Sequence, residues 1–271
     1  MGSVVVMSDL PMRTAGVDLA AENKGTALAL IAWTPERARL EQLTLNVDDA
    51  EITDAAAGVA KIGIDCAFGW PDEFVAFIAD HANLAQPQVP DGRMAWRRTL
   101  AFRETDRHVR EKIGRWPLSV STDRIGLTAM RCAGLLGRLA ASGLVVDRSG
   151  RDGVVVEVYP GATLRLWQWE IRGYRTDPQV RRSLVRRMQR DAPWFDLGEH
   201  AELMVESTDA FDAVVAALAA RAAAVGRYEP PPSKHQERAE REGWIVLPSC
   251  ALGALLSPPH ASERPLSYTV T

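Results

Sequence analysis

Residues 14–33, TAGVDLAAENKGTALALIAW, hold two apolar runs parted by a polar turn. The first run reads as a strand ending near Asp18, the turn centres on Asn23 to Gly25, and Thr26 to Trp33 reads as a second strand. LEQLTLNV (40–47) alternates apolar and polar residues at period two, which predicts a third strand. The short turns between them predict an antiparallel meander. DDAEITDAAAGVA (48–60) suits a helix, and KIGIDCAF (61–68) is an apolar run broken by one aspartate, the pattern of a buried central strand. Strand, strand, strand, helix, strand is the expected opening of the fold.

From Gly69 the text turns helical, through GWPDEFVAFIADHA, AWRRTLAFRETDRHVREKIGRWP and TAMRCAGLLGRLAASG, the last closed by Gly143. A helical insertion between about 70 and 150 follows from this run of helix-prone text. LVVDRSGRDGVVVEVYP (144–160) reads as a hairpin, two β-branched runs about a Gly/Asp turn. PQVRRSLVRRMQRDAP is a basic helix, and ESTDAFDAVVAALAARAAA (206–224) an alanine-rich one. The linker EPPPS (229–233), a charged helix and a short strand in GWIVLP (243–248) complete the pattern. The expectation is one α/β domain over 12–250, with a mixed five-stranded sheet, helices on both faces and a loose tail over 251–271.

Composition is that of a globular chain: 271 residues, 46% hydrophobic, 25% charged, net charge −3. That balance announces neither a nucleic-acid nor a membrane partner, and no run of about 18 apolar residues exists to span a bilayer. Cys66, Cys132 and Cys250 stand far apart without a CxxC spacing, and the opening residues lack the pattern of a secretory signal. A reduced, cytoplasmic setting is expected. Oligomeric state is not legible.

Four aspartates stand where chemistry could be done. Asp18 either ends a strand in a turn or is a metal ligand, and Asp65 is a lone carboxylate in a buried strand, costly without a partner. Asp209 and Asp212 are three residues apart on one helix face, with Cβ atoms about 5–6 Å apart. Asp209 could simply favour the helix start, with Ser207 and Thr208 as rival caps. Asp212 lies one turn in, gains less from the helix dipole, and is favoured as a ligand. Hard cations take carboxylate oxygens. A pair of Mg²⁺ or Mn²⁺ ions about 3.5–4 Å apart can make a water nucleophilic and neutralise a leaving oxygen. No activated Ser, Cys or His nucleophile is visible, and the histidines form no HExxH.

Arg93 through Arg115 holds seven arginines, and Arg172 through Arg190 seven more. Such helices are either solvated faces or phosphate-binding surfaces; Arg181, Arg182 and Arg186 are the candidates for the second role. Trp96, Trp116, Trp167, Trp169 and Trp194 suit core or rim packing better than base stacking.

The element order with these acids resembles the ribonuclease H-like fold, and TDAFDAVVAAL resembles the acidic helix of RuvC-type resolvases. GVDLA, GIDCAFGWP, FRETDR, VEVYPGA, TDAFDAVVAAL and EGWIVLP, spanning 16–248, are together similar to the DUF429 family, described as predicted nucleases of ribonuclease H fold. The resemblance implies hydrolysis of nucleic acid with Mg²⁺ or Mn²⁺, held by Asp18, Asp65, Asp209 and Asp212. It adds Glu157 as a further acid, which by itself reads equally as the buried partner of an arginine. It sets Arg103 against a substrate phosphate and Asp106 against that arginine or the metal, where spacing alone gives an i, i+3 ion pair. Two alternatives stand beside it. GVDLAAENKG could open a sugar-kinase or actin-like ATP phosphotransferase, although no GG or Walker motif follows. A non-catalytic binding module could use the same fold.

Overall fold

A computed structural model describes residues 11–85 and 93–256. β1 (Met12–Asp18) and β2 (Ala27–Trp33) pair antiparallel, with Asp18 opposite Ala27. β3 (Ala38–Leu45) completes the meander on β2, with a register shift between Leu30 and Ile31. α1 (Asp49–Ala57) starts at Asp48, whose carboxylate accepts from the N–H groups of Ala50 and Glu51 while Glu51 accepts from that of Asp48. This reciprocal cap fixes the helix start. The chain then returns as β4 (Lys61–Asp65), parallel to β1, with Asp65 in register with Asp18.

The insertion comprises α2 (Asp72–Ala82), α3 (Met94–Ala101), α4 (Glu104–Ile113) and α5 (Gly126–Ala141). β5 (Val155–Val158) and α6 (Pro160–Leu166) follow, then α7 (Pro178–Asp191), β6 (Phe195–Asp196), α8 (Ala201–Glu206) and α9 (Thr208–Ala224). α10 (Gln236–Glu242) and β7 (Ile245–Val246) close the series. Neither α2 nor α4 accepts a cap from its own N-cap residue. Glu242, 1% exposed, serves both: one oxygen takes the N–H of Asp72 at 2.8 Å, the other that of Glu104 at 2.9 Å. A single carboxylate thus ties two helix N-termini to α10, where charge and dipole agree.

The sheet runs β6-β3-β2-β1-β4-β5-β7. It has seven strands rather than five because β6 and β7, two residues each, pair parallel to β3 and β5 at the edges. The strand expected in GWIVLP is β7, whereas β6 is too short to carry a periodicity. The hairpin expected over 144–160 reduces to one bridge, Val146 to Gly153, while β5 pairs parallel with β4 and β7. Burial decided against the hairpin: all four β5 residues are covered, a central-strand environment. The tail also departs from expectation at its start, where Leu252 and Leu255 are buried in the core; residues 257–271 lie outside the described part.

α9 holds the layers together. A Cβ at Gly16 would collide with the Ala217 N and Ala213 O atoms, and one at Gly63 would lie 2.6 Å from the Ala216 O atom. Strand and helix backbones therefore touch, which only glycine facing alanine permits. Every residue from Ala210 to Ala223 is buried, so α9 is a core helix covered all round. On the other face Ile52 and Ala56 of α1 and Leu135 and Leu139 of α5 pack with Val17, Ile62 and Ile64. Among the described residues no helix is long and apolar enough to cross a membrane.

Candidate active site

Side chains alternate along a strand, so Asp18 and Asp65 share the α9 face with Gly16 and Gly63, two residues before them. Their strands are neighbours and in register, which sets their backbones about 4.8 Å apart. α9 begins above this strand end, since Ala213 touches Gly16 and Asp212 directly precedes it. Ser207 caps the helix, its Oγ accepting from Ala210 N at 3.2 Å. Asp209 is therefore spared that duty; its Oδ2 lies 4.0 Å from the position of a Cβ on Gly25, beside the β1–β2 turn. Arg131 of α5 holds that turn through Ala20 O, Thr26 Oγ1 and Asn23 Oδ1.

Asp212 is 2% exposed. Its Oδ2 accepts from Tyr174 Oη at 3.2 Å and has Arg175 Nη2 at 4.0 Å, while Oδ1 is buried without a partner. Burial pushes Asp212 up to about 7, opposed by Arg175 and the Tyr174 hydrogen bond. Burial and the neighbouring Asp212 push Asp65 up to about 8. Asp18 is raised well above the carboxylate range by burial and then by Asp65, Asp212 and Asp209. Burial also raises Asp209. Carboxylates buried together, each adding to its neighbours' hold on a proton, are a collection point for positive charge.

The all-oxygen donor set and the orphaned Asp212 Oδ1 fit a hard divalent cation. As the side chains stand, no three His, Cys, Asp or Glu groups among the described residues already form a cage for one. Closing on an ion would take movement of the carboxylates.

The remaining expected site residues lie elsewhere. Glu157 is in register with Ile64, on the face opposite the aspartates. It accepts Arg103 Nη1 at 2.9 Å, Arg103 Nη2 at 2.7 Å and Phe68 N at 3.0 Å. Arg103, 2% exposed, spends its other N–H groups on both oxygens of Asp106 and on Glu242 O. No donor remains for a substrate phosphate, so Arg103 and Asp106 are not substrate ligands. They join α4, β5 and α10 as a buried ionic cluster. Arg181, 4% exposed, is also no phosphate ligand: it donates to Val205 O, Glu206 O, Tyr174 O and Thr208 Oγ1, fixing α9's start and the Tyr174 segment. Arg182 pairs with Glu202 through both nitrogens. Arg186 is exposed and engaged by no hydrogen bond or ion pair among the described residues. Trp167 and Trp169 are buried, Trp116 is 36% exposed and stacks on Phe102 with Arg110 over its ring.

Tyr174 and Arg175 are the site residues that sequence reasoning passes over. RGYRTDP looks like an ordinary polar linker, and its only signal is a tyrosine isolated among charged residues.

Comparison with curated proteins and with solved structures brings no match. Residues 16–237 match the family described as "Protein of unknown function (DUF429)". That span takes in five of the six motifs quoted above and all four aspartates of the site, and the chain belongs to the DUF429 family.

Proposed function

We propose that this protein is a metal-dependent nuclease of ribonuclease H-like architecture, hydrolysing phosphodiester bonds in nucleic acid with Mg²⁺ or Mn²⁺. One observation carries the proposal: Asp18, Asp65 and Asp212 come from two adjacent strand ends and one helix start, and Asp212 Oδ1 is buried with no partner. The order β3-β2-β1-β4-β5, with an acid at the end of β1 and of β4 and on a late helix, supports the fold comparison; β6 and β7 then extend its edges.

Asp18, Asp65 and Asp212 are the residues that would hold the cation, with Asp209 at the rim. When bound, the ion supplies the Lewis acidity that activates an attacking water and neutralises the leaving oxygen. Tyr174 Oη holds Asp212 through Oδ2, and Oδ1, buried without a partner, would be the oxygen available to the cation. Direct attack by water suits the site better than a covalent route. The adjacent Cys66 thiol is pushed well up by its hydrogen bond with Cys132 and by burial, which leaves it protonated and unreactive. Arg186 and Arg190, exposed at i and i+4 on α7, can hold backbone phosphates.

The test is a Mg²⁺- and Mn²⁺-supplemented screen of single-stranded, duplex and branched DNA and RNA, beside Asp18→Asn and Asp212→Asn. Cleavage abolished by EDTA and by either substitution is expected. Cleavage that persists in both variants, or none with any substrate alongside ATP hydrolysis by the unmutated protein, would overturn the proposal.

A further inference from the structure

Arg175 differs from the other arginines that face buried carboxylates, Arg103 and Arg238. Its backbone is fixed: the carbonyl of Arg175 accepts from Thr208 Oγ1 at 2.9 Å, and that of Tyr174 from Arg181 Nη1 at 2.7 Å. Both bonds tie the segment to the first turn of α9 and to α7. Its guanidinium is held loosely. Nε donates to Tyr174 Oη at 3.3 Å, Nη2 stands 4.0 Å from Asp212 Oδ2, and the side chain is 56% exposed. Charge-assisted N–H···O contacts close to about 2.7–2.9 Å when they are built to last. Arg103, against Glu157 at 2.7 Å, has that geometry. Arg175 has a pinned base and a free tip over a buried carboxylate that lacks a partner on one oxygen.

We propose that Arg175 is a positioning residue that acts as an exchangeable counter-ion of the aspartate site, competing with a divalent cation for Asp212 and thereby setting the site's metal affinity. The inference rests on the cation-binding reading above and adds its regulation. The charge arithmetic is direct. A guanidinium near the carboxylates repels an incoming dication and offsets part of the negative charge that attracts it. It has somewhere to go, since more than half of its side chain is already exposed. Tyr174 couples the two states, because its Oη donates to Asp212 and accepts from Arg175.

Calorimetric Mn²⁺ titration at pH 8.0 and low salt tests this on the unmodified chain, Arg175→Gln, Arg175→Lys, Tyr174→Phe and Asp212→Asn. Arg175→Gln should bind Mn²⁺ about tenfold tighter, the low end of what one charge within 4–6 Å does to a carboxylate. Arg175→Lys keeps the charge and should stay within about twofold of the unmodified chain, which loss of a merely structural contact would not allow. Tyr174→Phe, which keeps the ring and loosens the guanidinium, should fall between, and covers the case of a poorly folded Arg175→Gln. Equal or weaker binding by both Arg175→Gln and Tyr174→Phe, with binding lost in Asp212→Asn, would overturn the counter-ion and leave the cation site standing. No Mn²⁺ uptake by any variant would remove the cation site, and the counter-ion with it.

Discussion

Replacing Asp65 by Asn should stabilise the folded protein at alkaline pH, although the residue sits at the centre of the site. In the fold its carboxyl ionises near pH 8, against 3.8 ordinarily, chiefly through burial and then the neighbouring Asp212. Below both values the group is protonated in folded and unfolded chains alike, so it has no effect on stability. Between them the unfolded chain releases the proton and the folded one keeps it, so stability falls as pH rises towards 8. At 1.36 kcal/mol per unit, an interval of roughly four units bounds the penalty at about 6 kcal/mol. Asparagine never carries the charge but brings amide donors that the acid site satisfies only in part, so a gain of about 2 kcal/mol is expected at pH 8.0. For a chain of this size that is a rise of roughly 4–8 °C in Tm. At pH 5.0 only about 1.6 kcal/mol of that penalty has accrued while the amide cost is unchanged, so the variant should there be less stable than the unmodified chain by about 2 kcal/mol. Thermal unfolding in EDTA at the two pH values measures both numbers. Adding Mn²⁺ at pH 8.0 should then reverse the order, since a ligand at 100 times its Kd contributes about 2.7 kcal/mol to the unmodified chain and little to the variant. A variant less stable than the unmodified protein at pH 8.0, with the same pH slope, would refute the electrostatic account of the site.

Three further outcomes test the supporting structure. Arg103→Gln leaves Glu157 and Asp106 buried without their cation, and urea unfolding should show a loss of about 3–5 kcal/mol. Glu242→Ala removes the caps of α2 and α4 together and should cost about 2 kcal/mol, at roughly 1 kcal/mol per cap, with α2 gaining most in amide hydrogen exchange. Arg181→Ala and Arg186→Ala should part company: the first lowers Tm, because three backbone carbonyls and Thr208 lose a buried donor, and the second leaves Tm unchanged. In nucleic-acid binding by fluorescence anisotropy, Arg186→Ala should weaken affinity and lower the salt slope by about 1.

How much of this was legible beforehand depended on the range of the interactions involved. The meander, α1 and β4 follow from apolar runs parted by short turns, one period-two stretch and a helix-prone segment, all local signals within residues 12–65. The two aspartates at the ends of β1 and β4 could be picked out because a lone carboxylate is conspicuous at the end of an apolar strand. The same logic found Asp212, a charge inside an alanine face with no capping duty. Glycine opposite alanine in β1, β4 and α9 was visible as composition, and its meaning was not: contact between backbones is a property of packing.

The pairing of charges was decided by the tertiary structure alone. Arg103, Arg181, Arg182 and Arg186 are identical residues in similar basic helices, yet two are saturated inside the fold, one is paired at the surface and one is exposed with no ion pair. Glu157 sits in a strand like Asp65 but on the other face, because its register with Ile64 sends it there. Tyr174 and Arg175 reach Asp212 across 38 and 37 residues of chain. Periodicity and capping act over a few residues and are written in the sequence; a carboxylate's counter-charge is whatever the fold brings within a few ångströms, and no local pattern encodes it.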